Sequence, residues 1–346
     1  MNITEIIVPQ QEVAWLPWAV QYFFFIGMAA TAAILAALGE FNRGSPLARL
    51  QAPALLVAVS TGVVAPVALL ADLHQPGRFY HFYTDITLWS WMSVGALILP
   101  VFLTGLFGYF LLWQWGQGFR ITAVLRRPLA LAMLVGGLGI LLYTGSEVVV
   151  VKARALWNTQ WLIVNLAATA LMATSAAILF VQAKVLRAHV VEQHWTLRLF
   201  LAATALTGLG ALGWALTGWW LASPSFIEFT RLLSEFAYWQ SVFVASVVVG
   251  LGLLLATLAM LQRPHRIVYA VWLAPFALLA AWSFRWAVLM DVQSVPKYGA
   301  GLYPYELPLG SDGLLGIVGI FGLWLAVLII LPSLFSARTN EVSAHG

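Results

Sequence analysis

Polar residues are sparse along this chain and come in bunches. Between the bunches run apolar stretches of about 20 residues, the length an α-helix needs to cross a hydrocarbon core of ~30 Å. Nine such stretches occur, at roughly 15–39, 52–71, 88–113, 128–146, 158–183, 199–222, 236–262, 267–290 and 314–335. Runs such as "LVAVSTGVVAPVALL" lack the apolar–polar alternation of a barrel strand, and in lipid the helix is the other way to satisfy every backbone group. The pattern predicts an all-α integral membrane protein with nine transmembrane helices, numbered here as spans 1 to 9.

Composition agrees: 62% of the 346 residues are apolar and 9% charged, against roughly 25% charged in a soluble domain. The placement of charge adds an orientation. Of the 17 basic residues, eleven fall in the connections after odd-numbered spans and the tail, five in those after even-numbered spans, and Arg285 lies inside span 8. Because basic loops stay cytoplasmic, the N-terminus is expected outside and the C-terminus in the cytoplasm. The net charge of +4 follows from that asymmetry and is no sign of nucleic-acid binding. Met1 to Val13 carries no basic residue, so no cleavable signal peptide is expected and span 1 carries the targeting information. The end "SARTNEVSAHG" reads as a short disordered tail.

What is missing narrows the chemistry. Without cysteine the chain holds neither a thiolate-ligated iron–sulfur cluster nor a disulfide. All six histidines fall in connections or tails rather than inside spans, so no haem is expected, and no metal or nucleotide motif stands out. Redox chemistry here would belong to a diffusible ligand and a partner. The lack of acids near the membrane centre also weighs against an ion-coupled pump.

The polar residues that remain gather at the outer ends. Gln21 and Tyr22 lie about two turns into span 1, below Trp15 and Trp18, which read as an interfacial aromatic belt. Asp72, His74 and Arg78 leave span 2 in "ADLHQPGRFYHFY"; they form either a plain helix end or part of a site. In span 4, "LLYTGSEVVVVKARALW" puts Tyr143 and Glu147 on one helix face, there to serve a site or to pair with Lys152 or Arg154. Arg285 lies about one and a half turns inside span 8, where a central arginine costs ~2.5–3.5 kcal/mol. It either snorkels outward or takes a partner among Asp72, Glu147 and Asp291. This convergence points to a buried site near the outer interface. The long connection "DVQSVPKYGAGLYPYELPLGSDG" from Asp291 to Gly313 either covers that site or docks a soluble partner.

These segments carry a resemblance. "DLHQPGRF" after span 2, "SWMSVGA" entering span 3 and "YTG" in span 4 resemble the polysulfide reductase membrane subunit (NrfD-like) family. "WLPWAVQYFFFIGMAA" and "RWAVLMDVQSVPKYGAGLYPYELPLGSDG" are similar to its tetrathionate reductase branch. The likeness covers spans 1 to 4, 8 and 9; spans 5 to 7 match in hydropathy alone. It implies two four-helix bundles, spans 1–4 and 5–8, plus a ninth helix, dividing the chain at 1–156, 157–290 and 291–346. It also implies a quinol-oxidising anchor for a molybdopterin sulfur-compound reductase. The quinone, menaquinone or ubiquinone, would sit at the outer face beneath a ferredoxin-like subunit with four [4Fe–4S] clusters, which feeds a molybdopterin catalytic subunit. By spacing to Gly27, the asparagine and histidine of the polysulfide branch fall on Ala19 and Tyr22, leaving Gln21 or Tyr22 as substitutes, while Tyr143 matches the family tyrosine. On this reading Tyr143, Glu147, Asp72 and His74 handle protons, and Gln21, Tyr22, Tyr143, Arg285 and Trp91 line the quinone. Two other readings stand beside it: a secondary transporter with an anion site at Arg285, and an inert structural anchor.

Overall fold

The computed structural model describes residues 13–344 apart from 74, 88, 117, 187–189, 264–268 and 298–300. Among the described residues there is no strand, and nine helices are long and apolar enough to cross a membrane. The first six spans are α1 (Pro17–Phe41), α2 (Gln51–Asp72), α3 (Trp91–Trp115), α4 (Arg120–Val149), α5 (Trp161–Phe180) and α6 (Val190–Leu221). A short helix, α7 (Pro224–Glu235), precedes the last three, α8 (Ala237–Leu261), α9 (Leu273–Trp286) and α10 (Leu314–Ala344). The chain is a multi-pass membrane protein.

Helix α7 falls where the hydropathy pattern shows only a connection, because its 12 residues are too few to span. It is amphipathic instead. Arg231 bonds Glu228 and Glu235, each at 2.6 Å, on its polar side, while Phe226 and Phe229 pack edge-on against Trp214 of α6.

Helix α1 is the pillar of the molecule. Its span is 89% buried, against 11% for α8, so α1 faces protein on all sides and α8 faces mostly lipid. Neighbours α2, α4, α5, α9 and α10 pack around it. The sequence permits this because "GMAATAAILAALG" presents small side chains: Ala29, Ala30, Ala32, Ala33, Ala36 and Ala37 are fully buried. Lipid tails are as apolar as leucine, so helices in a bilayer associate through such close packing and through interhelical hydrogen bonds. The Thr31 and Thr174 hydroxyls supply one of these at 2.6 Å, joining α1 to α5.

Arg285 of α9 supplies more. Only 1% exposed, it donates from Nε to the Phe23 carbonyl of α1 at 3.0 Å and from Nη2 to the Leu166 carbonyl of α5 at 3.0 Å. Its Nη1 donates to Thr169 Oγ1 at 3.2 Å and to the Ala281 carbonyl at 2.9 Å. The carboxylate partner expected among Asp72, Glu147 and Asp291 is not used. The planar fork is satisfied by carbonyl dipoles of three helices, and the Phe24 ring lies 5.8 Å from its central carbon. Gly27 makes the room, since a Cβ there would come within 3.1 Å of Nη2 and 3.2 Å of the Ala170 methyl.

Each face of the bundle has its own clamp. At the N-terminal end of α1, Gln293 Oε1 accepts from the Ala14 and Trp15 amides at 2.8 and 3.1 Å, and Asp72 Oδ1 accepts from Leu16 at 3.2 Å. Past α9 the helix widens into a π-turn over Ala287–Asp291. Trp157 Nε1 donates to the Val288 carbonyl there at 2.6 Å, and Arg154 Nη1 reaches the carbonyls of Val292 and Val295 at 2.9 and 3.0 Å. At the opposite face, the buried Glu40 carboxylate binds Arg43, Arg126 at 2.8 Å, the Tyr109 hydroxyl at 2.8 Å and Gln51 Nε2 at 3.1 Å.

Replacing Arg285 by lysine keeps the charge and removes the fork. Hydrogen bonds from charged groups contribute about 1.5–3 kcal/mol each, so Arg285→Lys is expected to lower the unfolding free energy in detergent by at least that much. An unchanged melting temperature would show that the guanidinium is not the joint between α1, α5 and α9.

Candidate functional site

The N-terminal ends of α1 and α3 and the C-terminal ends of α2 and α4 lie on one face, as successive antiparallel helices require. There α1 sends Tyr22 toward α4, where Tyr143 and Glu147 stand one turn apart. Tyr22 and Tyr143 are 2% and 6% exposed. The two hydroxyls are neighbours within interaction range of one another, yet among the described residues no atom meets hydrogen-bond geometry with that of Tyr22. The Glu147 carboxyl lies within reach of the Tyr143 hydroxyl and within electrostatic range of Asp72. Glu147 has no ion pair among the described residues, so the pairing with Lys152 or Arg154 is not made; Arg154 turns to backbone carbonyls instead.

A residue that the sequence pattern does not single out holds Tyr143 in place. Gly95 of α3 has the Tyr143 ring directly against its Cα, so that a Cβ would overlap the ring carbons. Gly95 lies in "SWMSVGA", and the serine two residues before it organises the wall beside the site: Ser93 Oγ accepts from the Thr87 amide at 3.1 Å and pairs with the Thr87 hydroxyl at 3.2 Å. The sequence carries the signal as a family-like motif, but the reason for the glycine is steric and needs the α3–α4 contact to be seen.

Beside this group an open cleft of about 420 Å³ falls within the range of small-molecule sites. Leu73, Arg78, His81, Phe82, Met92 and Ser93 line it. It therefore touches the residue after Asp72 and the helix turn before Gly95. Asp72 itself also holds the entry to α1.

The other predicted residues are spread. Trp91 begins α3 and is half-buried. His74 lies outside the described residues. Gln21 turns from Tyr22 toward α9, where its Oε1 accepts from Trp282 Nε1 at 3.1 Å while its Nε2 is buried without a partner among the described residues. Arg285 sits on that same side of α1, four of its N–H groups bonded to protein atoms, which removes the support for an anion site there. The connection after α9 does return to the site's face: Asp312 Oδ1 accepts from Trp18 Nε1 at 3.4 Å.

Residues 7–297 match the model of a family described as polysulphide reductase, NrfD. The chain is also 39% identical to a tetrathionate reductase subunit of Salmonella typhimurium over 348 aligned residues, covering 99% of this chain and 98% of that protein.

A side chain at position 95 has to displace the Tyr143 ring. Overpacking of this kind costs about 1–3 kcal/mol, so Gly95→Ala is expected to lower stability in detergent by that amount. In a Tyr143→Ala background the same change is expected to cost much less. Equal costs in both backgrounds would mean that the ring is not what the glycine accommodates.

Proposed function

The chain belongs to the polysulphide reductase NrfD family, and from that premise we propose that it is the membrane subunit of a tetrathionate reductase-like complex, oxidising membrane quinol at the Tyr22–Tyr143–Glu147 site. The observation that carries this reading is the Tyr22 hydroxyl, buried beside a second tyrosine and a carboxyl and, among the described residues, without a well-formed hydrogen bond. A polar group in a membrane interior costs free energy unless something bonds it. A quinol head, an aromatic ring with an oxygen at each end, fits such a group and the adjoining cleft.

Oxidation of a quinol releases two electrons and two protons. Tyr22 and Tyr143 hold the ring oxygens, and Glu147 accepts a proton at its carboxylate. Asp72, within electrostatic range of Glu147 and close to the open cleft, passes the proton to water, and His74 is assigned the same task. The N-terminal face is the outer face of a bacterial or archaeal cytoplasmic membrane. A ferredoxin-like subunit with four [4Fe–4S] clusters docks over it, beside the returning 291–313 connection, and delivers electrons to a molybdopterin subunit. Protons and electrons leave on one side, so no net charge crosses the membrane. The similarity to a tetrathionate reductase subunit supports tetrathionate as the acceptor.

Membranes carrying the assembled complex test this with two electron donors. Tyr143→Phe and Glu147→Gln are expected to lower quinol-driven tetrathionate reduction by roughly 100-fold or more, the scale of a lost acid–base group. Reduction driven by reduced viologen, which bypasses the membrane subunit, is expected to persist. If quinol-driven activity survives both substitutions, the quinol is oxidised elsewhere.

A further inference from the structure

The face opposite the proposed quinol site carries a second cavity, of about 620 Å³. Four arginines line it, Arg43, Arg120, Arg126 and Arg127, with Glu40 the one acid among them. Glu40 is already engaged by Arg43, Arg126, Tyr109 and Gln51, so it orders two of the guanidiniums and offsets one charge. Arg120 and Arg127 form no ion pair among the described residues. The Nε of Arg126 is buried and has no hydrogen-bond partner among the described residues. The first turn of α4, which borders the cavity, has no side-chain cap at Phe119.

The topology rule accounts for basic residues on this side of the membrane. It requires only a count of charges in the connections. It does not require four guanidiniums to converge on one cavity, nor a buried carboxylate to fix two of them, nor a donor left without an acceptor. Those features suit an oxyanion bound by several N–H groups at once. The surroundings say which kind. Around the arginines Trp115, Phe119, Ile121 and Val124 are 54%, 66%, 59% and 69% exposed, at the level where the helices end. A soluble anion has no use for those apolar surfaces, whereas acyl chains do. We propose that this cavity binds the phosphate headgroup of an anionic phospholipid, its chains lying on the exposed apolar side chains of α3 and α4. Basic pockets between membrane helices are suited to such headgroups.

The purified, delipidated complex is titrated with short-chain phosphatidylglycerol, with short-chain phosphatidylcholine and with inorganic phosphate, bound lipid being counted by native mass spectrometry and binding followed by the melting temperature. Phosphatidylglycerol is expected to bind in preference to phosphatidylcholine. The Arg120→Gln/Arg127→Gln pair is expected to bind it roughly 25-fold more weakly, about fivefold per arginine near a headgroup, while Arg263→Gln, outside the cavity, retains full affinity. Equal binding of the two lipids, or wild-type affinity in the double variant, overturns the proposal. A melting shift that phosphate alone reproduces, with no lipid retained, overturns it in favour of a soluble oxyanion. Should the double variant fail to assemble, photoactivatable phosphatidylglycerol on the wild-type complex decides: adducts concentrated on residues 113–127 support the site, and adducts spread evenly over the lipid-facing helices refute it.

Discussion

A guanidinium without a carboxylate holds the centre of this membrane protein. Arg285 crosses from α9 to backbone carbonyls of α1 and α5, and so fixes how the pillar helix is rotated against its neighbours. That rotation decides where every side chain of the following turn points. Within residues 21–24, Gln21 bonds Trp282, Tyr22 faces Tyr143, the Phe23 carbonyl receives Arg285 and the Phe24 ring lies beneath it. One turn of helix thus separates two environments, a satisfied polar joint on one side and, on the other, a buried phenol whose neighbour Tyr143 does not meet hydrogen-bond geometry with it. With no solvent to drive helices together, directional bonds of this kind carry much of the specificity.

The proposed quinol site is built on that fixed edge. Its floor is packing: Gly95 lets α3 approach so closely that the Tyr143 ring lies against the backbone. Its mouth is held by polar contacts among segments distant in sequence, with Asp72 and Gln293 both gripping the entry to α1. Asp72 therefore serves the framework and stands near Glu147, the proposed proton acceptor, at once. A framework carboxylate already held in place needs little reorganisation to take part in charge movement, which is how polar groups in enzymes act most effectively.

Much of this was legible from the sequence. Nine apolar runs mark the nine spans, because membrane thickness imposes a length that soluble helices lack; the helices outrun the apolar pattern only at their polar ends, α4 and α6 starting and α10 ending eight or nine residues beyond it. Tyr143 and Glu147 share a face because they are four residues apart. The sequence leaves Arg285 either snorkelling outward or buried against a carboxylate, and its actual partners are not visible there: a carbonyl acceptor leaves no mark in the sequence, whereas a carboxylate does. Helix α7 escaped because its signal is amphipathic rather than apolar. Glu40 carries no such mark in the sequence, since its partners Tyr109, Arg126 and Gln51 lie on α3, on α4 and at the start of α2. Gly95 belonged to a motif whose meaning is a distance between two helices.

The π-turn at Ala287–Asp291 has a geometric consequence. An α-helix advances about 100° per residue, so Arg285 and Gln293, eight residues apart, would point about 80° away from each other on a regular helix. A π-turn takes up one extra residue, which brings the two to within about 20° of the same face. Both in fact grip the α1 segment, one at Phe23 and the other at Trp15. Loss of any single residue between them would yield a more regular helix and a worse protein, with either the central joint or the clamp on α1 swung out of phase. This stretch of chain is therefore intolerant of changed length.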